Sequence, residues 1–197
     1  MTGALIGPGV FVPVVGPSGS GKDSLIAYAR RRLESRREIH FARRVITRDC
    51  DPASEDHDTL DEQAFAAAEA DGAFALSWRS HALRYGIPRT VDETIQAGSV
   101  VVANVSREIV GEIRQRYSRV IPVLVTVSAE ALAVRLAARG RETEEDIAAR
   151  IARNANFANS DLGCRLIDNS GALEVAAEQF VRLLEDAIDA DAASWHC

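Results

Sequence analysis

Lysine is nearly absent from this chain: of its 23 basic residues 22 are arginine, and Lys22 is the single lysine. Where arginine has replaced lysine almost everywhere, the survivor marks a place that needs a compact, flexible ammonium rather than a planar fork. Cysteine is scarce too. Cys50, Cys164 and Cys197 are odd in number and far apart, which excludes a disulfide framework and a zinc knuckle. A reduced, cytoplasmic setting is expected. Long apolar runs are missing; the strongest, Val120–Val127, is far too short to cross a bilayer. Met1–Pro8 has no charged segment followed by an apolar one, so no secretory signal is expected. There is no excess of positive charge either. A net charge of -6 argues against a nucleic-acid binder that works through bulk electrostatics.

What is present is an ordinary folded composition, 47% hydrophobic and 26% charged, over 197 residues. That length fits one α/β domain with its own core. Strand and helix patterns alternate along the chain, which predicts a mainly parallel sheet with crossover helices. Gly9–Val15, Ile39–Thr47, Phe74–Trp78, Ser99–Ala103, Val120–Val127 and Cys164–Asp168 read as strands. Lys22–Glu34, Asp61–Asp71, Thr90–Gly98, Ser106–Tyr117, Ser128–Gly140, Thr143–Ala158 and Ala172–Ile188 read as helices. Thr90 with Glu93 has the spacing of a capping box. The segment 39–88 interrupts the alternation and is expected to stand over the sheet as an insert.

Gly16-Pro17-Ser18-Gly19-Ser20-Gly21-Lys22 follows a strand and opens a helix. In that context the glycines turn successive backbone N–H groups onto a phosphate, the helix N-terminus adds its positive end, and Lys22 reaches the β- and γ-phosphates. The next position of this motif carries Ser or Thr, whose hydroxyl binds Mg²⁺; here it is Asp23, with Ser24 after it. Asp23 fits two roles, a hard-oxygen ligand for Mg²⁺ and an acid favoured by the helix dipole.

Three further stretches make the chain resemble guanylate-kinase-type nucleoside monophosphate kinases over nearly its full length. Thr47-Arg48 is similar to the Thr-Arg element that grips the acceptor phosphate in that family. Phe74 with Tyr85-Gly86 is similar to its acceptor-site strand and Tyr-Gly turn. Arg135 to Gly140, continued through Thr143-Glu144-Glu145 and Ile147 to Arg150, is similar to its lid. The resemblance implies a three-layer P-loop sandwich on a mainly parallel five-stranded sheet. It also implies one domain over 1–197, with a core at about 9–38 and 89–197, an acceptor-binding insert at about 39–88 and a lid at about 139–150.

The departures narrow it. Leu76 stands where guanylate kinases have the glutamate that reads guanine, and Asn104-Val105-Ser106 replaces their acidic strand end. A second acceptor-phosphate arginine is missing within 49–54. A site that hydrogen-bonds a base loses its selectivity when those groups go. Gly21 to Ser24, Glu55-Asp56-His57, Trp78 with His81, Tyr85 to Pro88, Asn104 to Arg107 and Arg139 to Glu142 together resemble the ribose 1,5-bisphosphate phosphokinase family, associated with phosphonate utilisation. That resemblance implies transfer of the γ-phosphoryl group of ATP to the 1-phosphate of ribose 1,5-bisphosphate, with Mg²⁺. Kinases for nucleoside monophosphates and a non-catalytic guanylate-kinase-like module are the alternatives. Expected partners are ATP and a small phosphorylated sugar, not nucleic acid or a membrane, with a homodimer left open.

The roles implied follow residue by residue. Arg48 takes the acceptor's 1-phosphate, while Arg44, Arg84, Arg89 and Arg107 are candidates for its distal phosphate, Arg107 first among them for its place past a buried strand's carboxyl end. His57, with Glu55 and Asp56 in an exposed acidic loop, reads ribose hydroxyls, orders the metal's waters, or merely solvates. Tyr85 walls the acceptor site, and Trp78 is either wall or core. Asn104 shares the strand end with Ser106, which is equally an N-cap. Arg135, Arg139 and Arg150 close over ATP. Asn169 faces the adenine or only makes a turn.

Overall fold

The computed structural model describes residues 4–48, 57–80, 82–139 and 163–192. The main sheet is built on β1 (Val10–Val15), an uninterrupted apolar strand with every residue buried. Its parallel neighbours are β7 (Val100–Asn104) and β8 (Val123–Thr126). Beyond them lie β2 (Ile39–Phe41) and β9 (Arg165–Asp168), giving the order β2-β7-β1-β8-β9 with all pairs parallel. A strand covered on both faces must be apolar, which β1 shows throughout and β7 shows up to its last residue, Asn104.

The two faces separate by the strand's period of two. Val10, Val12 and Val14 join Val100, Val102, Leu25, Ala29 and Phe180 in one core cluster. This is the layer of α1 (Lys22–Arg32) and the closing helix α6 (Leu173–Ala192). Phe11 and Val15 join Val101, Ala103, Ile95, Ile113 and Tyr117 in the other cluster. That layer holds α3 (Thr90–Gln96), α4 (Val110–Arg116) and a second, smaller sheet. The crossover from β1 leads to β2 on one side and that from β7 leads to β8 on the other, so the sheet has its switch point at the carboxyl ends of β1 and β7, where open α/β sheets bind ligands.

The small sheet has the order β4-β3-β6-β5. It comprises β3 (Arg44–Ile46), β4 (His57–Thr59), β5 (Phe74–Ser80) and β6 (Leu83–Pro88), with α2 (Glu62–Ala70) against one face. Phe65 of α2 stacks on Phe74 with ring centroids 4.6 Å apart. On the opposite face Leu76 and Ile87 are buried in the cluster shared with Phe11 and Val15, which fastens the small sheet to the large one.

Several expectations change. Ile39–Thr47 is not one strand: β2 stays in the main sheet and β3 pairs in the small one, so the small sheet begins at Arg44. No glycine or proline marks that crossing, and the apolar pattern runs on through it. Tyr85-Gly86 is not a turn but the middle of β6, paired to Trp78 and Ser77 of β5. Gly86 is needed for space, because a Cβ there would sit 2.6 Å from the Phe74 ring. The bend lies just before, where Ala82 has φ 63°.

Thr90 does not form a capping box. It is the first residue of α3, whose N-cap Arg89 makes no side-chain capping bond. The acid that matters is Asp92, which is buried and receives Tyr117 Oη at 2.8 Å and Arg116 Nε at 3.2 Å, tying α3 to α4. Burial and that hydrogen bond push the Tyr117 hydroxyl well above its ordinary range. Two caps hold. Ser128 accepts from Ala131 N at 3.1 Å ahead of α5 (Ala129–Arg139), and Asp61 accepts from Ala64 N at 2.7 Å ahead of α2. The expected helix 143–158 and the lid lie outside the described residues, apart from the end of α5.

Candidate active site

The glycine-rich loop 16–21 joins the carboxyl end of β1 to α1. Gly21 is the N-cap of α1 at φ 88°, in the left-handed region, and supplies no side-chain cap. The first-turn N–H groups of Lys22, Asp23 and Ser24 have no carbonyl within the helix, so they form an anion-binding end. Lys22 Nζ donates to Gly16 O at 2.7 Å and to Pro17 O at 3.0 Å, which places the ammonium against the loop's own rim. The loop is therefore closed around a positive charge.

Asn169, at the end of β9, holds the loop from beneath. Its backbone N–H donates to Thr126 O at 2.9 Å and its Nδ2 to Ser20 O at 2.7 Å. A Cβ at Gly21 would collide with Asn169 Nδ2, so glycine at that step serves packing as well as φ. Asn169 is 1% exposed: it is a brace under the phosphate loop, not a group at an open adenine surface. Ser20 is fully buried beside it. Arg135, on α5, lies over the same step, its Nη1 3.8 Å from where that Cβ would be, and its Nη2 donates to Gly171 O at 3.4 Å. Arg139 ends α5; its side chain, like Arg150, is outside the described residues.

Asp23 and Asn104 come together. Asn104 is the last residue of β7 and donates from Nδ2 to Asp23 Oδ1 at 2.6 Å. The side chain expected to meet the acceptor is thus turned toward the candidate metal ligand. Among the described residues no group of three or more His, Cys, Asp or Glu side chains converges. A divalent cation here would be held by Asp23 together with phosphate oxygens and water, a donor set that suits Mg²⁺ bound with a nucleotide.

The acceptor candidates are divided. Thr47 Oγ1 accepts from Arg84 N at 2.9 Å, and Thr47 N donates to Arg84 O, so the Thr-Arg element is anchored to β6 and leaves Arg48 exposed at the end of β3. Tyr85 and Trp78 stack with centroids 5.3 Å apart and an interplanar angle of 8°. The Arg44 guanidinium lies 5.4 Å from the Tyr85 centroid. His57 is opposite Arg44 in the β3–β4 register and only 3% exposed, so it is a buried strand residue and not a member of an exposed loop. Glu55, Asp56 and His81 lie outside the described residues.

Two of the distal-phosphate candidates are already engaged. Arg84 is buried over the Phe65 ring and ion-paired to Glu69, with Glu62 3.9 Å away. Arg89 pairs with Asp92 at 3.8 Å and donates to Gly72 O. Arg107 opens a short 3-10 turn just past β7, and Ser106 is its N-cap, accepting from Glu108 N at 3.4 Å. The Asp23–Asn104 contact spans 81 residues of sequence. Its one sequence signal was an acid at the loop's eighth position and an amide at the carboxyl end of the next strand in the sheet. The Arg44–Tyr85–Trp78 stack depends on cross-strand register and had no local signal.

No protein-family model matches the chain. It is 51% identical over 180 residues to ribose 1,5-bisphosphate phosphokinase PhnN of Chelativorans sp., covering 91% of this chain and 86% of that protein. The protein of the same name from Brucella melitensis is 47% identical over 178 residues, covering 90% and 93%. That of Pseudofrankia inefficax is 49% identical over 189 residues, covering 96% and 97%. Among solved structures, guanylate kinase from Anaplasma phagocytophilum matches with a TM-score of 0.68 at 18% identity, covering 93% of this chain and 88% of that one. A sugar kinase from Janibacter sp. matches with a TM-score of 0.52 at 16% identity, covering 90% and 95%. At such identities the structural likeness speaks for the fold alone, and the fold is the guanylate-kinase-like P-loop sandwich that the sequence predicts.

Proposed function

The chain belongs to the ribose 1,5-bisphosphate phosphokinase family, and from that membership we propose that it transfers the γ-phosphoryl group of ATP to the 1-phosphate of ribose 1,5-bisphosphate. The products are 5-phosphoribosyl 1-diphosphate and ADP. One observation carries the acceptor side. Where a base-reading kinase would need a carboxylate, Leu76 is closed into the core at 1% exposure, while the same face of the small sheet carries Arg44, His57 and Tyr85.

An acceptor phosphate oxygen is already anionic near neutral pH, so the reaction needs no base; it needs alignment and charge neutralisation. The first-turn N–H groups of α1 and Lys22 hold the β- and γ-phosphates. Lys22 exchanges its contacts with Gly16 O and Pro17 O for phosphate oxygens. Asn169 keeps the loop in shape by holding Ser20 O. Arg48 binds the acceptor's 1-phosphate, and Arg44, beside the Tyr85 ring, and Arg107, just past the carboxyl end of β7, are candidates for its distal phosphate. Arg135 covers the loop, with Arg139 and Arg150 assigned to the transferring group. Asp23 would hold Mg²⁺, which would supply positive charge to offset that of the phosphates.

The attacking 1-phosphate oxygen forms a new P–O bond to the γ-phosphorus as the bond to the β,γ-bridging oxygen breaks, and ADP leaves with that electron pair. The test is ADP release measured with ribose 1,5-bisphosphate, ribose 5-phosphate, GMP and AMP in turn. Turnover confined to the bisphosphate is expected. Turnover of GMP alone would replace this reading with a nucleoside monophosphate kinase, and no turnover of any acceptor would leave a non-catalytic module.

A further inference from the structure

Asn104 closes β7 beside β1, and its side chain is 8% exposed. It spends its amide on one contact at the site, Nδ2 to Asp23 Oδ1 at 2.6 Å. Asp23 itself is exposed on the first turn of α1, next to the lysine of the loop. A carboxylate has two oxygens and about four lone-pair sites, so a single donor on Oδ1 leaves Oδ2 available. A surface aspartate otherwise samples several rotamers. The hydrogen bond to a buried strand end restricts that freedom.

The chemistry of the tether matters. An acid in place of Asn104 would compete for a cation and repel polyphosphate, while a lysine or arginine would neutralise Asp23. A neutral amide donor fixes the carboxylate and leaves its charge intact. We propose that Asn104 is a positioning residue that acts through Asp23, holding Oδ2 toward the divalent cation that accompanies the nucleotide. The sequence assigns Asn104 to the acceptor sugar, whereas in the structure one of its amide N–H groups donates to Asp23 Oδ1. The inference rests on the metal role proposed for Asp23 and is independent of which acceptor is phosphorylated.

Partners of this kind behind a metal ligand are worth 10- to 100-fold in metal affinity. The experiment titrates Mn²⁺ into the protein–ADP complex and follows it by electron paramagnetic resonance, with ADP affinity in EDTA and the acceptor KM measured alongside. Asn104→Ala is expected to weaken Mn²⁺ by about 10-fold while metal-free ADP affinity and acceptor KM stay within twofold. In an Asp23→Ala background the same change should do nothing more, because the group it acts through is gone. Retained Mn²⁺ affinity with a raised acceptor KM would overturn the proposal and return Asn104 to the sugar. So would an Asn104 effect that persists without Asp23, or an Asp23→Ala variant with unchanged Mn²⁺ affinity. If Asn104→Ala does not fold, Asn104→Ser is read by the same criteria, its hydroxyl being too short to span the contact.

Discussion

At the phosphate loop, the groups that face a ligand are backbone N–H groups and one lysine, held from beneath by Asn169 on a neighbouring strand. At the wall of the small sheet they are long side chains, each placed by the residue across from it. Arg44 lies against Tyr85, Tyr85 on Trp78, and Thr47 is tied to the backbone of Arg84. The loop's geometry is set by seven consecutive residues and one brace, Asn169. The wall's geometry is a property of strand register, where a one-residue slip would turn every side chain to the other face. In the proposed function, phosphoryl-transfer chemistry sits on the first device and acceptor selection on the second.

The contrast breaks hardest at the loop. Lys22→Ala should lower kcat/KM by roughly 10²–10³-fold, the loss seen when one preorganised charge donor is removed, with thermal unfolding unchanged. Steady-state kinetics beside a melting curve checks both halves, and a variant that melts early would mean Lys22 is structural.

Next come two arginines of the wall that the account separates. Arg48→Ala should reduce kcat/KM for the acceptor by about 10²-fold with no change in stability, as expected for one lost charge-assisted contact. Arg84→Ala should instead cost about 2 kcal/mol of stability, between the values for exposed and buried pairs, since Glu69 keeps a charge without its partner. Denaturant unfolding and acceptor kinetics on both variants sharpen the distinction, and a swap of the two phenotypes would erase it.

Gly86→Ala is expected to cost about 1–3 kcal/mol by overpacking, because the new Cβ meets the Phe74 ring. Its kinetic effect should fall on acceptor KM and not on ATP KM, because Tyr85 is the neighbouring residue. The smallest effect concerns the helices that support both regions. Tyr117 is held neutral by burial and by its bond to Asp92, so its folded pKa lies above the ordinary 10.0. A raised pKa stabilises the fold fully below pH 10 and loses that contribution as pH rises beyond it, where the unfolded chain ionises first. Unfolding midpoints between pH 9 and 11 should fall less steeply in Tyr117→Phe than in the parent chain.

The same division explains what the sequence discloses. The phosphate loop, the parallel character of the main sheet and the helices that begin near Asp61 and Ser128 are written in local spacing and hydrophobic period, and each was legible. The departure of β3 from the main sheet was not, because no turn residue separates Phe41 from Arg44. Tyr85-Gly86 suggested a turn since glycine usually marks one, yet here it makes room for a ring on the paired strand. Nothing in the sequence around Arg84 announces that the carboxylates of α2 engage it. Asn104 and Asp23 are 81 residues apart and meet because β7 lies next to β1.

The most direct measurement is ³¹P nuclear magnetic resonance of the protein with ATP, Mg²⁺ and ribose 1,5-bisphosphate. The account predicts loss of the sugar's 1-phosphate signal and growth of two mutually coupled diphosphate resonances on the pentose, matched by ADP. An unchanged sugar spectrum, with GMP converted to GDP under the same conditions, would contradict it.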